Sequence, residues 1–499
     1  MKKEKGLAAF SRRDVLRFGA AGAGATLLGR YGFAQGTKGI PLAMVDLTMQ
    51  PEQYEIYSGF QTDCFRFRAT AKSASNVVTD SGSYLGPTLR FKKGQMVRAT
   101  IRNNLNANSV VHWHGLHLPE AADGLPTQIV GPGVSYTRSF QVVNRAGTYW
   151  YHPHPHMSTA YQVYRGLAGL VIVSDDEEQA LTLPRGEYDV PLVIQDRRFN
   201  ATYQYVYNAG SMMGMLGNVM CVNGRPNYTM NAATRAYRLR ILNGSNSRIY
   251  KLAWSNELPL YVIGTDGGLL RAPVKKEYIM LSPGERVELW ADFSSIPVGT
   301  EFILKSLAFS GVGQNSGQTP VQGAPLDLMR VRIDRAETES LELPATLSNF
   351  AWEDPLQAVN RLSPRHFPIS FGTDGWVLNG ATYDPTEVAA NERVRLGDLE
   401  IWEFSHVLNS MTLSAHPIHI HGAQFQIIER TIQAERASAY ETVRHGYTDE
   451  GWKDTFLMMP GETVRILIRF SRYPGTFLYH CHNLEHEDMG MMRNYQILP

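Results

Sequence analysis

Hydrophobic and polar residues alternate in short runs along much of this chain. Residues 96–102 set Val97, Ala99 and Ile101 against Arg98, Thr100 and Arg102. Residues 237–241 set Tyr237, Leu239 and Ile241 against Arg238 and Arg240. In residues 464–470, Val464, Ile466, Ile468 and Phe470 share one side. A period of two marks a strand with one face on a core and the other in water. No long run with helical periodicity competes with these segments. The pattern therefore predicts an all-β protein made of antiparallel sheets.

A longer spacing returns three times. Pro132-Gly133 leads through a strand to Gly147-Thr148-Tyr149-Trp150-Tyr151-His152. Pro283-Gly284 leads to Gly299-Thr300-Glu301-Phe302-Ile303-Leu304, and Pro460-Gly461 to Gly475-Thr476-Phe477-Leu478-Tyr479-His480. The offsets from Pro-Gly to Gly-Thr are 15, 16 and 15 residues. Three copies predict three homologous β-sandwiches, near 36–178, 185–335 and 365–499, each of ordinary domain size. The proline-punctuated stretch 336–364 reads as a linker, and 310–323, rich in Gly, Gln and Ser, as a mobile loop. Where the outer copies carry His-x-His, the middle copy has Leu304-Lys305-Ser306. Metal chemistry is thus expected in the outer copies, with the middle one holding them in place.

Composition narrows the class. With 48 basic and 47 acidic residues the chain is nearly neutral, which argues against a nucleic-acid partner. Residues 1–34 are the exception. Lys2, Lys3, Lys5, Arg12, Arg13, Arg17 and Arg30 against Glu4 and Asp14 give +5, and taking this from the whole-chain +1 leaves −4 on the remainder. A basic start, the adjacent Arg12 and Arg13, and a mild Gly/Ala/Leu stretch too short to span a bilayer resemble a twin-arginine export signal. Gly32-Phe33-Ala34 is the candidate cleavage site, and a bacterial periplasmic or cell-surface location follows. No membrane span is expected. The three cysteines, Cys64, Cys221 and Cys481, make no disulfide framework. Cys64 and Cys221 are buried thiols or one bridge. Cys481, between two histidines, is assigned to metal.

His-x-His occurs at 112/114, 152/154, 154/156, 419/421 and 480/482. Fifteen histidines in 499 residues would give roughly 0.4–0.5 such pairs by chance. On a strand, residues i and i+2 project from one face about 6.6 Å apart, so each pair can serve two neighbouring metals of one cluster. In His480-Cys481-His482 the alternation turns Cys481 to the opposite face, so one strand touches two metal sites. His486 and Met491 follow at five-residue steps. Cysteine, two histidines and a weak axial methionine make a blue-copper electron-transfer site, with His416 the candidate second histidine.

His112-Trp-His114-Gly, His152-Pro-His154, His416-Pro-Ile-His419-Ile-His421-Gly and His480-Cys481-His482-Asn-Leu-Glu-His486 with Met491 resemble the four copper motifs of the multicopper oxidases. That family includes laccases, bilirubin oxidases and bacterial copper-efflux oxidases. All four motifs are complete and in order. The resemblance implies three consecutive cupredoxin-like Greek-key β-sandwich domains and four copper ions. It implies that His416, Cys481 and His486, with Met491 axial, bind a type 1 copper, and that His112 and His419 bind a type 2 copper. His114, His152, His154, His421, His480 and His482 would bind a type 3 pair. One-electron oxidation of a small-molecule donor would then be coupled to reduction of dioxygen to water. The chain is expected to be monomeric. The internal repeat sets His152 level with His480, so His156 is read as a bystander. His117, His366, His406 and His445 are read as surface or hydrogen-bonded histidines.

Oxygen reduction consumes protons, so carboxylates are expected beside the cluster. Asp123 and Glu487 match acidic positions of the copper-efflux branch, as a proton relay or as clamps on histidines. Asp454, in Gly451-Trp452-Lys453-Asp454-Thr455, is read as structural. The expected donors are phenolic, aromatic or pigment-type molecules, with periplasmic cuprous oxidation for copper tolerance as the alternative. The copper-efflux oxidases carry a methionine-rich insertion in domain three, and an Asp and a Met four and two residues before the first type 1 histidine. Here those positions are Thr412 and Ser414, and no methionine lies between Arg335 and Asn409. Met212, Met213, Met215 and Met220 cluster in the middle copy, where core packing is the expected use.

Overall fold

The Pro-Gly marks of the repeat coincide with backbone turns. Gly133, Gly284 and Gly461 all have positive φ, at 75°, 86° and 78°. Each precedes a strand: Ser135–Gln141, Arg286–Asp292 and Glu462–Arg469. The Gly-Thr marks then lead into Gly147–Pro153, Glu301–Ser306 and Gly475–Cys481. Left-handed backbone at the Pro-Gly turn excludes most side chains, which explains why glycine recurs there.

The computed structural model describes residues 39–72, 77–208, 213–313, 317–373, 375–408 and 413–499. The export signal read over residues 1–34 lies outside these, as do Met212 and Thr412. Strands dominate, and no helix among the described residues is long and apolar enough to cross a membrane.

Among the described residues six sheets form three sandwiches, each with its own core. All three share a topology. In the first, Ala43–Tyr57 runs parallel to Met96–Asn103, and Thr88–Lys92 parallel to Gly169–Ser174. In the middle sandwich the corresponding pairs are Asp189–Arg197 with Ala236–Asn243, and Thr229–Ala233 with Leu326–Arg335. In the last they are Arg365–Gly372 with Leu399–His406, and Arg393–Arg395 with Met492–Leu498. Parallel neighbours cannot be joined by a hairpin, so each sandwich contains crossovers between its two sheets.

One expectation fails in an informative way. Ala236–Asn243 is buried on both faces, Arg238 and Arg240 included. Their guanidinium groups meet Glu288 and, from the first sandwich, Thr148 and Glu178. The polar face that the alternation assigns to water is an interface between sandwiches. Cys64 and Cys221 are separate buried thiols, both pushed up to about 12 by burial. Met220 packs against the middle core, and Tyr250 Oη lies 3.9 Å from its sulfur.

Candidate metal centre

In the first sandwich, Val111–His114 pairs antiparallel with Gly147–Pro153, placing His112 opposite His152. In the last, His416–Ile420 pairs antiparallel with Gly475–Cys481, placing His419 opposite His480. The middle counterpart pairs Tyr250–Trp254 with Glu301–Ser306, and there Trp254 faces Leu304. The two outer sandwiches thus turn the same histidine-bearing edge toward each other.

The predicted ligands converge in small groups. Ligand atoms of His114, His152 and His482 lie within 4.8 Å of one another, as do those of His154, His421 and His480, and those of His112, His114 and His419. Each of these groups draws on both outer sandwiches. The sequence reading left six histidines undivided between two ions; the structure separates them into two sets of three. All eight are buried. Burial first, then the neighbouring imidazoles, holds His114, His152, His154, His419, His421 and His482 well below the ordinary histidine range. Such rings are neutral at pH 7 and carry lone pairs, as metal binding requires.

The second nitrogen of most of these rings is tied down. His112 Nδ1 donates to Asp123 O at 2.8 Å, His419 Nδ1 to Asp454 O at 2.8 Å, and His152 Nδ1 to Pro153 O at 2.9 Å. His421 Nδ1 donates to Asp123 Oδ2 at 2.7 Å, and His114 Nε2 lies 3.1 Å from Asp454 Oδ1. The opposite nitrogens, Nε2 of His112, His152 and His419 and Nδ1 of His114, are buried and meet no protein hydrogen-bond partner. A buried polar atom without a partner costs about 1–3 kcal/mol. A set of them aimed at one space, each oriented from behind, fits metal ions.

Cys481 turns away from this cluster into the core of the last sandwich. Its Sγ is 3.4 Å from His416 Nδ1 and 3.6 Å from His486 Nδ1. The short helix Leu484–Asp488 carries His486, and the Asn483 side chain caps that helix through the His486 N–H. Met491 is buried beside them, with Cys481 N donating to Met491 O at 3.0 Å. The Trp376 ring lies 4.3 Å from that of His416 and 5.6 Å from that of His486. Burial pushes the Cys481 thiol up. A thiolate there needs a cation beside it, and a soft ion suits one sulfur and two imidazoles.

The carboxylates surround the histidines. Glu487 lies between His154 Nδ1 at 3.4 Å and His480 Nδ1 at 3.3 Å, and burial pushes it well above the ordinary carboxylate range. Asp123 is fully buried. Asp454, read from sequence as structural, contacts His114. Only its place beside the His419 strand could have signalled this. His156 is exposed and packs on Tyr383, and His406 is buried with Nε2 bonded to Ser414 O.

Two regions, 66–178 and 356–499, match family models described as multicopper oxidase. The chain is 32% identical to the multicopper oxidase mco of Staphylococcus haemolyticus over 85% of its length and 84% of that protein. It is likewise 32% identical to the bilirubin oxidase of Albifimbria verrucaria, over 85% of this chain and 74% of that one. The crystal structure of the McoA multicopper oxidase of Aquifex aeolicus superposes with a TM-score of 0.79 at 33% identity, covering 91% of this chain and 96% of that one. A three-sandwich fold, converging buried imidazoles and these relatives lead to one conclusion: the chain belongs to the multicopper oxidase family, copper-dependent oxidoreductases that use dioxygen as electron acceptor.

Proposed function

We propose that this enzyme is a laccase-like oxidase of phenolic, aromatic or pigment-type donors, holding four copper ions per monomer and reducing dioxygen to water. His416, Cys481 and His486, with Met491 axial, would hold type 1 copper. His112 and His419 would hold type 2, and the sets His114/His152/His482 and His154/His421/His480 the two type 3 ions. The observation that carries this reading is the complete ligand set, buried and oriented from behind. Copper at these positions would take single electrons at the type 1 site and deliver four to dioxygen at the trinuclear site.

The chain's own groups set the conditions. The third sandwich's core keeps water from Cys481. The strand 480–482 links the two sites covalently, as Cys481 faces one and its neighbours the other. Glu487, which burial pushes well above the ordinary carboxylate range, would donate a proton at the His154 and His480 edge, and Asp123 holds His421 in one tautomer. The domain limits 36–178, 185–335 and 365–499 and twin-arginine export to the periplasm belong to the same reading.

Organic donors are favoured over cuprous ion because Thr412 and Ser414 stand where the copper-efflux oxidases carry an Asp and a Met for soft Cu(I), and no methionine lies between Arg335 and Asn409. Assaying phenols, dyes and cuprous ion, with and without added Cu(II), tests this. Oxidation of aromatics without added copper is expected, with weak cuprous oxidation. Near-inertness on aromatics until Cu(II) is supplied, together with a much higher kcat/KM for Cu(I), would establish the cuprous oxidase instead.

A further inference from the structure

The middle sandwich supplies none of the proposed ligands, yet one of its side chains holds the carboxylate behind His114. Arg286 opens the strand Arg286–Asp292 and is fully buried. Each N–H of its guanidinium has an acceptor. Nε donates to Thr148 O at 3.0 Å, in the first sandwich. Nη1 donates to Gly284 O at 2.9 Å and Asp454 Oδ1 at 2.7 Å. Nη2 donates to Asp266 O at 3.1 Å and Asp454 Oδ2 at 2.6 Å. All three sandwiches therefore meet on this one planar group, and its fork fixes both oxygens of Asp454.

Asp454 Oδ1 faces His114 Nε2 at 3.1 Å, with Thr455 Oγ1 3.2 Å from the same nitrogen. An ionised carboxylate only accepts, so the imidazole proton sits on Nε2 and the lone pair on Nδ1. His114 is thus the reverse of His112, His152 and His419, which keep the proton on Nδ1 and leave Nε2 free. A chain of one guanidinium and one carboxylate selects this inverted tautomer. The turn before Arg286 is close as well: a Cβ on Gly284 would lie 3.0 Å from His482 and 3.2 Å from His114.

We infer that Arg286 is a positioning residue for the trinuclear site, locking Asp454 so that His114 presents Nδ1 toward His152 and His482. The inference rests on the copper assignment proposed above. A lysine would keep the charge, but its ammonium cannot match both carboxylate oxygens and the three carbonyls in one plane.

The test compares wild type, Arg286→Lys and Arg286→Met, each loaded with copper and challenged with a chelator. Absorption and EPR are read together with the melting temperature. The expected result is that both variants keep the type 1 band while the coupled type 3 pair is lost or becomes EPR-visible. Copper retention at that pair should fall about 10- to 100-fold, the range for losing an outer-shell partner. Arg286→Lys should show the defect despite a near-native melting temperature, because it leaves no buried charge alone. A native type 3 signature and copper retention in Arg286→Lys would overturn the inference, leaving Arg286 a structural tie between sandwiches, whatever the fate of Arg286→Met. A wild-type enzyme without a coupled pair would instead overturn the copper assignment, and this inference with it.

Discussion

Asp123, on the short helix Glu120–Asp123 of the first sandwich, accepts a hydrogen bond at 2.7 Å from His421 Nδ1 in the last, 298 positions along the chain. Its own carbonyl meanwhile accepts from His112 at 2.8 Å. One residue thereby orients a ring from each side of the cluster. Gly124, which follows it with φ 88°, has no room for a Cβ, since Val111 O would lie 2.0 Å away.

Asp123→Ala is therefore expected to free the His421 ring and weaken copper retention about 10- to 100-fold, while Asp123→Asn, which keeps an acceptor, retains most of it. Competition with a chelator reads the difference. Equal retention in both variants would mean that the carboxylate does not position His421.

Cys481→Ser should abolish the intense thiolate-to-copper absorption and oxidase activity together, since serine leaves His416 and His486 in place but removes the thiol sulfur that lies beside both. A surviving band would place the type 1 copper elsewhere.

Glu487→Gln should slow reoxidation of the reduced enzyme by dioxygen and leave reduction by donor nearly unchanged. The amide keeps the size of a side chain that sits between His154 and His480 but carries no transferable proton. Stopped-flow measurement of the two half-reactions decides it: unchanged rates in both would leave Glu487 a structural clamp.

Glu288 gives a prediction about acid stability. Burial alone would raise its pKa, but Arg238 and Arg240 overcome this and bring it from 4.5 down to about 2. A depressed folded pKa stabilises the protein above the unfolded value and stops doing so as pH falls through the folded one. The loss should run from about pH 4.5 toward pH 2, amounting to about 3 kcal/mol. Glu288→Gln should be less stable at neutral pH, and the gap to wild type should close across that window in denaturant titrations. A gap that does not change with pH would show that the carboxylate charge contributes nothing.

How much of this was legible in the sequence depends on what each pattern can encode. Spacing of two residues fixes which side chains share a strand face, so His112 with His114 and His480 with His482 could be read directly, as could the turning-away of Cys481. The recurring Pro-Gly marked turns with positive φ, which few residues tolerate. Alternation says only that a face is polar, so it could not distinguish water from the Thr148 and Glu178 surface that covers Arg238 and Arg240. Nor could spacing divide six histidines into two sets, because that division depends on how two distant sandwiches are docked. Arg286 escaped notice, and Asp454 was read only as structural, for the same reason: they are 168 positions apart and acquire a role only through their contact.

His154 Nε2 and His480 Nε2 stand 3.3 Å apart across 326 positions of sequence. Metal held between such partners would act as a cross-link that fastens the first sandwich to the last, closing a loop of several hundred residues. By the loop-entropy argument for disulfides, such a closure is worth on the order of 5 kcal/mol. Heating would then have to break coordination before the outer sandwiches could separate, so the lifetime of the loaded enzyme at high temperature becomes a rate of ion escape.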